Sequence, residues 1–265
     1  MKLISLNTWG GKVYKPLLKF VEKQSKDTDI FCFQEVFQSS ESKFSNGIKT
    51  DLYKDFKKIL RNFNGFYAPT FTGYDTEKRV NFDLTFGQAT FVKENIKVVS
   101  EETVFIHGKY DYKPPVKMES IEDALDLPRN IQCLKIKFGK KDVLIGNVHG
   151  YWLPGEKMDT PERIAQSQAI KEISDNSDGE KIICGDFNLA PHTKSLKMLE
   201  ENMRNLIKDF KIKGTRTHHY KKTSERYADY ILVSEGIKVK SFKVPDVVVS
   251  DHLPMILEFS VRIRQ

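Results

Sequence analysis

Carboxylate, amide and imidazole side chains follow two short apolar runs of this chain. Gly185-Asp186-Phe187-Asn188 comes after residues 182–184, and Ser250-Asp251-His252 comes after residues 247–249. Carboxylates beside an amide and an imidazole can hold a divalent cation and move protons at a phosphate ester. Asp186 and Asn188 are two residues apart, so an extended backbone directs both side chains to the same side. These residues predict a site that acts on phosphate esters.

The same arrangement recurs elsewhere in the chain. Asn7 follows residues 3–6, Glu35 follows residues 30–33, and His149 follows residues 143–148. Each of them alone has an ordinary explanation as a turn amide, a solvated acid or a hydrogen-bonded structural histidine. Strand ends that share one edge of a sheet converge on a single crevice. We therefore expect these side chains to meet Asp186 and His252 in one place.

The apolar runs have the length of β-strands and are separated by several helical patterns. The predicted strands are residues 3–6, 30–33, 89–92, 131–136, 143–148, 181–184, 230–233 and 255–261. Helices between some strands and hairpin-like pairs between others predict an α/β fold of two packed sheets covered by helices. A chain of 265 residues can bury one large core, so we expect a single domain over residues 1–265.

Three helices are predicted from periodicity and capping. The first has an apolar stripe that consists of Phe44, Ile48, Leu52, Phe56, Ile59, Leu60 and Phe63. The second begins at Thr160 as N-cap, with Pro161 in the first turn and Glu162 near the positive end of the helix dipole. Its inward residues would be Ile164, Ala165, Ile170 and Ile173. The third would run through residues 196–210.

Composition limits the classes of partner and location. The net charge of +7 and the pI near 9.0 favour anionic partners such as nucleic acid, lipid headgroups or phosphorylated small molecules. Cys32, Cys133 and Cys184 are widely spaced in apolar runs, which predicts reduced, buried thiols. No apolar stretch has the length of a signal peptide or of a membrane span. We expect a soluble cytoplasmic protein, with a monomer as the simplest oligomeric state.

Two segments do not follow these patterns. Residues 110–128 contain three prolines and scattered acids, which is typical of either a specificity loop or a mobile surface insert. Residues 204–226 carry eight basic residues against two acids, with His218, His219 and Tyr220 in the middle. Such a strip can grip phosphates and stack bases, or can be a solvated face. Both alternatives stay open for both segments.

Taken together, the motifs resemble the endonuclease/exonuclease/phosphatase superfamily, whose members include deoxyribonuclease I and the neutral sphingomyelinases. The matching elements occur in the family's order from Asn7 to His252. They are Leu6-Asn7, Gln34-Glu35, Asn147-Val148-His149, Gly185-Asp186-Phe187-Asn188, Ala228-Asp229-Tyr230-Ile231 and Ser250-Asp251-His252.

The resemblance implies a four-layer α/β-sandwich of the deoxyribonuclease I type and a hydrolase that uses Mg²⁺, or Mn²⁺ in its place. It implies that Glu35, Asn7 and Asp251 hold the ion, partly through water. Asp186 would orient or deprotonate the attacking water, and Asn188 would position that water or a phosphate oxygen.

The remaining implied roles concern the phosphate and the substrate. His149 and His252 would hold developing charge, and Asp229 would fix the His252 ring and raise its pKa. Arg129 is a candidate phosphate contact. Trp9 stands where the abasic-site branch carries an acid or an amide, which resembles the sphingomyelinase type of opening. Trp9 and Trp152 can stack a base, cover an alkyl chain or wall the cleft.

Two hypotheses from different classes follow. The first is a Mg²⁺-dependent phosphoesterase, either a nuclease or a sphingomyelinase-like phosphodiesterase, in which water attacks a diester or a monoester. The second is a catalytically silent module that binds nucleic acid through residues 204–226. A silent relative would be expected to lose chemical residues of the motifs, and this chain retains them. That retention favours the enzyme, and the substrate stays open.

Overall fold

A computed structural model describes residues 1–117, 119–120, 122–222 and 225–262. Its centre is formed by two six-stranded sheets that face each other. One large apolar cluster fills the space between them and includes Leu3 and Cys32 from one sheet and Ile145 and Cys184 from the other. Helices cover the two outer faces, which confirms the predicted α/β-sandwich of four layers.

The first sheet has the strand order β13-β14-β1-β2-β6-β5. Its strands are β1 (Lys2–Asn7), β2 (Ile30–Gln38), β5 (Phe63–Thr72), β6 (Thr85–Lys93), β13 (Ile237–Lys243) and β14 (Met255–Val261). Only the β1–β2 pair is parallel, so this is a mixed sheet.

The second sheet has the strand order β11-β12-β10-β9-β8-β7. Its strands are β7 (Val98–His107), β8 (Arg129–Phe138), β9 (Lys141–His149), β10 (Glu180–Asp186), β11 (Arg204–Asn205) and β12 (Asp229–Val233). A separate two-stranded hairpin consists of β3 (Phe44–Ser45) and β4 (Ile48–Lys49). The pair β9–β10 is parallel and therefore brings its two carboxyl ends to the same edge.

The helices are α1 (Tyr14–Ser25), α2 (Leu52–Ile59), α3 (Glu122–Leu125), α4 (Pro161–Asp175), α5 (Lys194–Glu200) and α6 (Leu206–Asp209). Helices α1 and α2 pack Leu17, Val21 and Phe56 against the outer face of the first sheet. Helices α4 and α5 contact each other and pack Ile170 and Leu196 against the second sheet.

The eight predicted strands all lie within observed ones, whereas the long strands β5, β7 and β13 were missed. These three form edges of the two sheets. An edge strand packs with only part of its surface, and β7 and β13 carry exposed charged side chains in place of an apolar run. Their sequences therefore lack the strong apolar signal of the central strands.

The long helix predicted from the stripe between Phe44 and Phe63 is wrong in extent. Only Leu52–Ile59 is helical; the residues before it form the β3–β4 hairpin, and Phe63 begins β5. Gly47 lies in the hairpin turn at φ +80°, a backbone conformation that interrupts a helix. The apolar stripe reflects burial on one side of three successive short elements.

The helix predicted after Thr160 is confirmed, including its cap. The Thr160 hydroxyl accepts a hydrogen bond from the backbone N–H of Arg163, and Pro161 occupies the first turn. Ile170 is buried as expected, but Ala165 is exposed, and the buried face includes Arg163 and polar side chains. The helix predicted over residues 196–210 is wrong, because α5 ends at Glu200 and the short elements β11 and α6 follow.

The thiols of Cys32, Cys133 and Cys184 are free and buried, as predicted. Among the described residues, no helix combines the length and the apolar character needed to cross a bilayer. The two irregular segments lie partly outside the described residues, at 118, 121, 223 and 224. What is described of them is mostly loop, with α3 in the first and β11 and α6 in the second.

Gly185 offers a direct test of how the second sheet positions the residue that follows it. Its φ is +135°, and an added Cβ would lie 2.1 Å from the carbonyl oxygen of Val148. We expect Gly185→Ala to lower the free energy of unfolding by about 3 kcal/mol or more, because strain and overlap act together. Gly139→Ala, at φ +60° with open space around it, should cost only about 1 kcal/mol. Equal losses in urea unfolding would contradict the close approach.

Candidate active site

Three neighbouring strands of the second sheet place polar residues side by side at one edge. Asp186 ends β10, where it lies opposite His149 of β9 and Asp229 of β12. The first sheet meets this edge with Asn7, the last residue of β1. Convergence of strand ends from both sheets, as predicted from the sequence, therefore forms the site.

A cleft of about 390 Å³ opens at this edge. Nine of the eleven predicted site residues line it, namely Trp9, Glu35, Arg129, His149, Trp152, Asp186, Asn188, Asp251 and His252. The other two, Asn7 and Asp229, lie behind the lining and form hydrogen bonds to it. The structure thus brings all eleven residues together.

Glu35 does not lie at a strand end, as the sequence pattern indicated. Strand β2 continues to Gln38, and Glu35 lies in a bulge between Phe33 and Val36, at φ +54°. The Thr8 hydroxyl donates to the carbonyl oxygens of Gln34 and Glu35 and stabilises the bulge. The bulge turns the Glu35 side chain toward the cleft, a common use of bulges beside active sites.

One amide joins the carboxylates of the two sheets. Asn7 Nδ2 donates to Glu35 Oε1 at 3.0 Å and to Asp186 Oδ2 at 3.0 Å. Its Oδ1 in turn accepts the backbone N–H of Trp9 at 3.0 Å. Both the amide nitrogen and the amide oxygen of Asn7 therefore have hydrogen-bond partners. The two bonds from Nδ2 hold the carboxylates of Glu35 and Asp186 close together.

Burial and mutual repulsion perturb the Glu35 carboxyl group. Burial, followed by the charge of Asp251, raises the pKa of Glu35 to about 7, against the hydrogen bond from Asn7. Ligand atoms of Glu35, His149 and Asp186 lie within 4.8 Å of one another. A cluster of this kind can hold a metal ion, which would remove the repulsion between the acids.

His252 and Asp229 form a buried pair next to Asp186. His252 Nδ1 lies 2.8 Å from Asp229 Oδ1, and His252 Nε2 lies 3.6 Å from Asp186 Oδ2. Burial raises the pKa of Asp229 to about 7, against the charge of Arg216 and the hydrogen bond from Thr215. His252 Nδ1 contacts both carboxylate oxygens of Asp229, a geometry that can orient the imidazole ring.

The expectation that the neighbouring carboxylate raises the pKa of His252 is wrong. Burial, followed by the charge of Arg216, lowers this pKa to about 4 and outweighs Asp251 and Asp186. Arg216 Nη1 is in hydrogen-bond contact with His252 Nε2. Because a guanidinium can only donate, Nε2 accepts and the ring is neutral, with its proton on Nδ1.

Arg216 is the principal residue that the sequence analysis missed. Its Nη1 also donates to Asp251 Oδ2 at 3.1 Å, and its guanidinium lies 4.2 Å from the ring centroid of Tyr220. Burial alone would lower the pKa of Arg216, but the nearby carboxylates of Asp186, Asp229 and Asp251 have the larger combined effect and raise it. The residue belongs to the basic segment 204–226, where nothing in the spacing distinguishes it from the other seven basic residues.

Pairing of backbone segments places Arg216 in the cleft. Residue 216 bridges to His252, while Thr217 N–H donates to the carbonyl oxygen of Asp251. Tyr220, which supports the guanidinium, donates its hydroxyl to Glu225 Oε2 at 2.6 Å. This part of the basic segment is therefore built into the site, contrary to the interpretation as a solvated face.

Arg129 and His149 provide a second polar group in the cleft. Arg129 Nε and Nη1 donate to the carbonyl oxygens of Gly150 and Pro128, at 2.9 and 2.7 Å. Burial lowers the pKa of Arg129 to about 10, against the attraction of Glu35 and Asp186. Burial, followed by the charge of Arg129, lowers the pKa of His149 well below its usual value, so this ring is neutral.

Asn188 adopts φ +53°, a left-handed conformation that asparagine tolerates better than most residues. Its backbone N–H donates to Asp186 Oδ1, and its Nδ2 donates to the carbonyl oxygen of Gly150. Within the described part of the chain, its buried Oδ1 has no hydrogen-bond partner. An acceptor left without a partner beside Asp186 is suited to a water molecule or a substrate group.

The two tryptophans lie at the cleft and differ in their contacts. Trp9, at φ +51°, begins a short 3-10 helix, and its ring packs near His219, with centroids 5.8 Å apart. Lys12 Nζ lies 5.1 Å from the Trp9 ring centroid. Trp152 is exposed. Both indoles present flat surfaces to whatever occupies the opening.

This combination of a two-sheet sandwich with acids and histidines at one edge defines a class of metal-dependent phosphate-ester hydrolases. The chain matches the Endonuclease/Exonuclease/phosphatase family over residues 4–252 and belongs to it. Family membership makes the chain an enzyme that hydrolyses phosphate esters. No curated protein matched it.

Solved structures share the fold at low sequence identity. An endonuclease/exonuclease/phosphatase from Bacteroides vulgatus is 17% identical, with 98% of each chain covered and a TM-score of 0.68. A mannosyl-6-phosphatase from Bacteroides thetaiotaomicron is 18% identical, with 98% of this chain and 99% of that one covered and a TM-score of 0.67. The human Nocturnin catalytic domain with bound sulfate is 20% identical, with coverages of 99% and 93% and a TM-score of 0.64.

The raised pKa of Glu35 predicts a pH dependence of cation binding. Glu35 and Asp229 stabilise the folded chain when protonated, and that contribution is lost as pH rises through about 7. A cation must displace the proton from Glu35, so its affinity should fall about fivefold between pH 7 and pH 6. The gain in Tm from Mg²⁺ should therefore be larger at pH 8 than at pH 6.

Glu35→Gln should abolish most of this Mg²⁺-dependent gain at both pH values. Glu77→Gln, which removes an exposed acid that lines the same cleft, is the matched control and should retain the gain. If Mg²⁺ raises Tm equally at both pH values and also raises the Tm of Glu35→Gln, the cation binds elsewhere.

Contact with Arg216 predicts a measurable change at His252. Removing the guanidinium in Arg216→Gln removes a nearby positive charge, so the pKa of His252 should rise from about 4 toward its ordinary value. Imidazole proton resonances of the metal-free protein, followed by NMR from pH 4 to 8, measure this change. Arg226→Gln changes an exposed arginine of the same segment and should leave the titration where it is. An unchanged His252 titration in Arg216→Gln would contradict the assigned contact.

Proposed function

We propose that this protein is a Mg²⁺-dependent phosphoesterase in which water attacks a phosphodiester or a phosphomonoester. The supporting observation is the position of Asp186, which lies within reach of Glu35 and His149 on one side and of Asp229 and His252 on the other. We also propose that residues 1–265 act as a single catalytic domain, because both sheets contribute indispensable parts of this one site.

The side chains present fit a hard divalent cation. Glu35 and Asp186 offer carboxylate oxygens, and Asp251 and the Asn7 amide lie next to them. His149 adds an imidazole nitrogen within the same cluster, a ligand that Mn²⁺ accepts more readily than Mg²⁺. When bound, the ion would neutralise phosphoryl charge and lower the pKa of coordinated water. The choice of Mg²⁺ as the working ion is part of the proposal.

Asp186 and Asn188 are suited to positioning the attacking water. Among the residues that the structure describes, Asp186 accepts hydrogen bonds from Asn7 and from the backbone N–H of Asn188, so its carboxylate retains capacity for a further donor. The unpartnered Oδ1 of Asn188 is a second acceptor near it. Two acceptors on a rigid turn can hold both protons of one water, and Asp186 would take up one of them.

Three groups are suited to the phosphate and its developing charge. Arg129 and Arg216 bring buried guanidinium groups into the cleft, and such groups form strong hydrogen bonds to phosphate oxygens. A phosphate next to His252 adds negative charge and therefore raises the low pKa of the imidazole. The ring would then donate Nε2–H to a phosphate oxygen, while Asp229 holds Nδ1. Neutral His149 completes the enclosure.

Variants of the proposed water-binding and phosphate-binding residues test the mechanism. We expect Asp186→Asn and His252→Gln each to lower kcat by about 10³-fold on any ester that the protein hydrolyses, with little change in Tm. Asp246→Asn removes an exposed acid on the loop before Asp251 and should retain full activity. EDTA should abolish turnover, and Mg²⁺ or Mn²⁺ should restore it. Full activity of Asp186→Asn, or activity in EDTA, would refute the proposal.

A further inference from the structure

One side of the cleft is apolar and has no part in the proposed hydrolysis. Five lining side chains form it: Ile48, Phe71, Tyr74, Phe86 and Leu127, here called the apolar flank. Each of them is at most 4% exposed. The five side chains are therefore held in place by packing, and only small parts of them are accessible from the cleft.

The apolar flank is backed by a small core of its own. Its five members belong to a cluster separate from the two that hold the sheets and helices together, along with Phe37, Leu84 and Ala124. Phe71 and Phe86 stack with ring centroids 4.8 Å apart. Because this separate apolar cluster packs behind the apolar flank, the flank is rigid and apolar.

The described parts of the irregular segment 110–128 are fastened onto this core. Arg79 N–H donates to the carbonyl oxygen of Val116, and Arg79 Nε donates to that of Pro114. The Tyr151 hydroxyl donates to the carbonyl oxygen of Leu125 at 3.1 Å. These bonds place Leu127 at the cleft, which favours the interpretation as a specificity loop over that of a mobile insert.

The apolar flank begins directly beside the reacting groups. The Phe86 ring lies 5.6 Å from that of His149, whose Nε2 is 3.8 Å from Glu35 Oε1. A phosphate held between Arg129 and Arg216 would therefore carry its first few organic atoms against Phe86 and its neighbours. A polyol in that position would lose hydrogen bonds to water without regaining them, whereas a ring or a hydrocarbon would gain contact.

We propose that the substrate is a phosphate ester whose organic group has an apolar surface, a flat ring or a hydrocarbon, next to the scissile phosphate. The inference rests on the proposed hydrolytic function of the same cleft and specifies its substrate class. It disfavours sugar phosphates and other polyol phosphates. The cleft volume of about 390 Å³ suits a phosphate with one ring or a short chain attached.

Primary-alcohol esters with leaving groups of similar reactivity test this proposal. The set consists of 2-phenylethyl phosphate, hexyl phosphate, glycerol 3-phosphate and glucose 6-phosphate, together with the methyl diesters of the same alcohols. We expect kcat/KM with Mg²⁺ to be about tenfold or more higher for the apolar esters. Comparing the phenylethyl and hexyl arms distinguishes a ring from a chain. Equal or better turnover of the polyol esters would overturn the proposal.

Two leucines of the same cluster provide a matched pair of variants. Leu127 lines the cleft and Leu84 does not, although both are buried in the one small core. We expect Leu127→Ala to reduce the preference for apolar esters at least about threefold, since the flank loses contact area. Leu84→Ala should lower Tm comparably and leave the preference unchanged. Equal changes in preference would mean that the cluster acts only through stability.

The outcomes separate this inference from the proposed function. Turnover of all esters without preference would refute the inference and leave the phosphoesterase standing. No turnover of any ester with Mg²⁺ or Mn²⁺ would refute the phosphoesterase. In that case calorimetric binding of the same esters to the full chain decides the inference, which holds if the apolar esters bind more tightly and fails if they do not.

Discussion

The site depends on the enforced proximity of two carboxylates that belong to different sheets. Glu35 and Asp186 both accept a hydrogen bond from the one amide group of Asn7, each at 3.0 Å. In a buried environment their mutual repulsion is strong, and it contributes to the raised pKa of Glu35. Such an arrangement persists only because the fold around it is rigid, which makes the packing of the two sheets part of the active site.

Polar contacts between the sheets provide that rigidity. Gln34 Nε2 of the first sheet donates to Asn147 Oδ1 of the second at 2.6 Å, and Asn147 Nδ2 donates back to Thr90 Oγ1. Gln88 Nε2 donates to the carbonyl oxygen of Asn147. An apolar interface tolerates sliding, whereas directional bonds between buried amides fix one alignment. Gln34 directly precedes Glu35, and Asn147 lies two residues before His149. The alignment of the two sheets therefore determines where these two cleft residues lie.

Sequence patterns predicted the parts of the fold that a strong local signal specifies. The central strands contain short, mostly apolar runs, and the Thr160 cap satisfies a local rule, so the sequence analysis found both. The edge strand β13 and the hairpin before α2 take their form from tertiary pairing, which periodicity does not encode. Among the residues of the active site, the sequence analysis identified those that follow apolar runs. Arg216 was missed because its position depends on pairing with His252, thirty-six residues away.

Charge balance in the cleft explains why a cation and two arginines belong together. Around Asp186 lie Glu35, Asp229 and Asp251, and the guanidinium groups of Arg129 and Arg216 lie in the same cleft. The oppositely charged Lys12 and Glu77 also line it and offset each other. With the acids ionised and both histidines neutral, four negative charges face two positive ones, which opposes the approach of a phosphate. A divalent cation cancels the excess and leaves the guanidinium groups free to attract the ester. Cation binding should therefore precede phosphate binding, and the apolar flank, which carries no charge, can discriminate among esters without disturbing that balance.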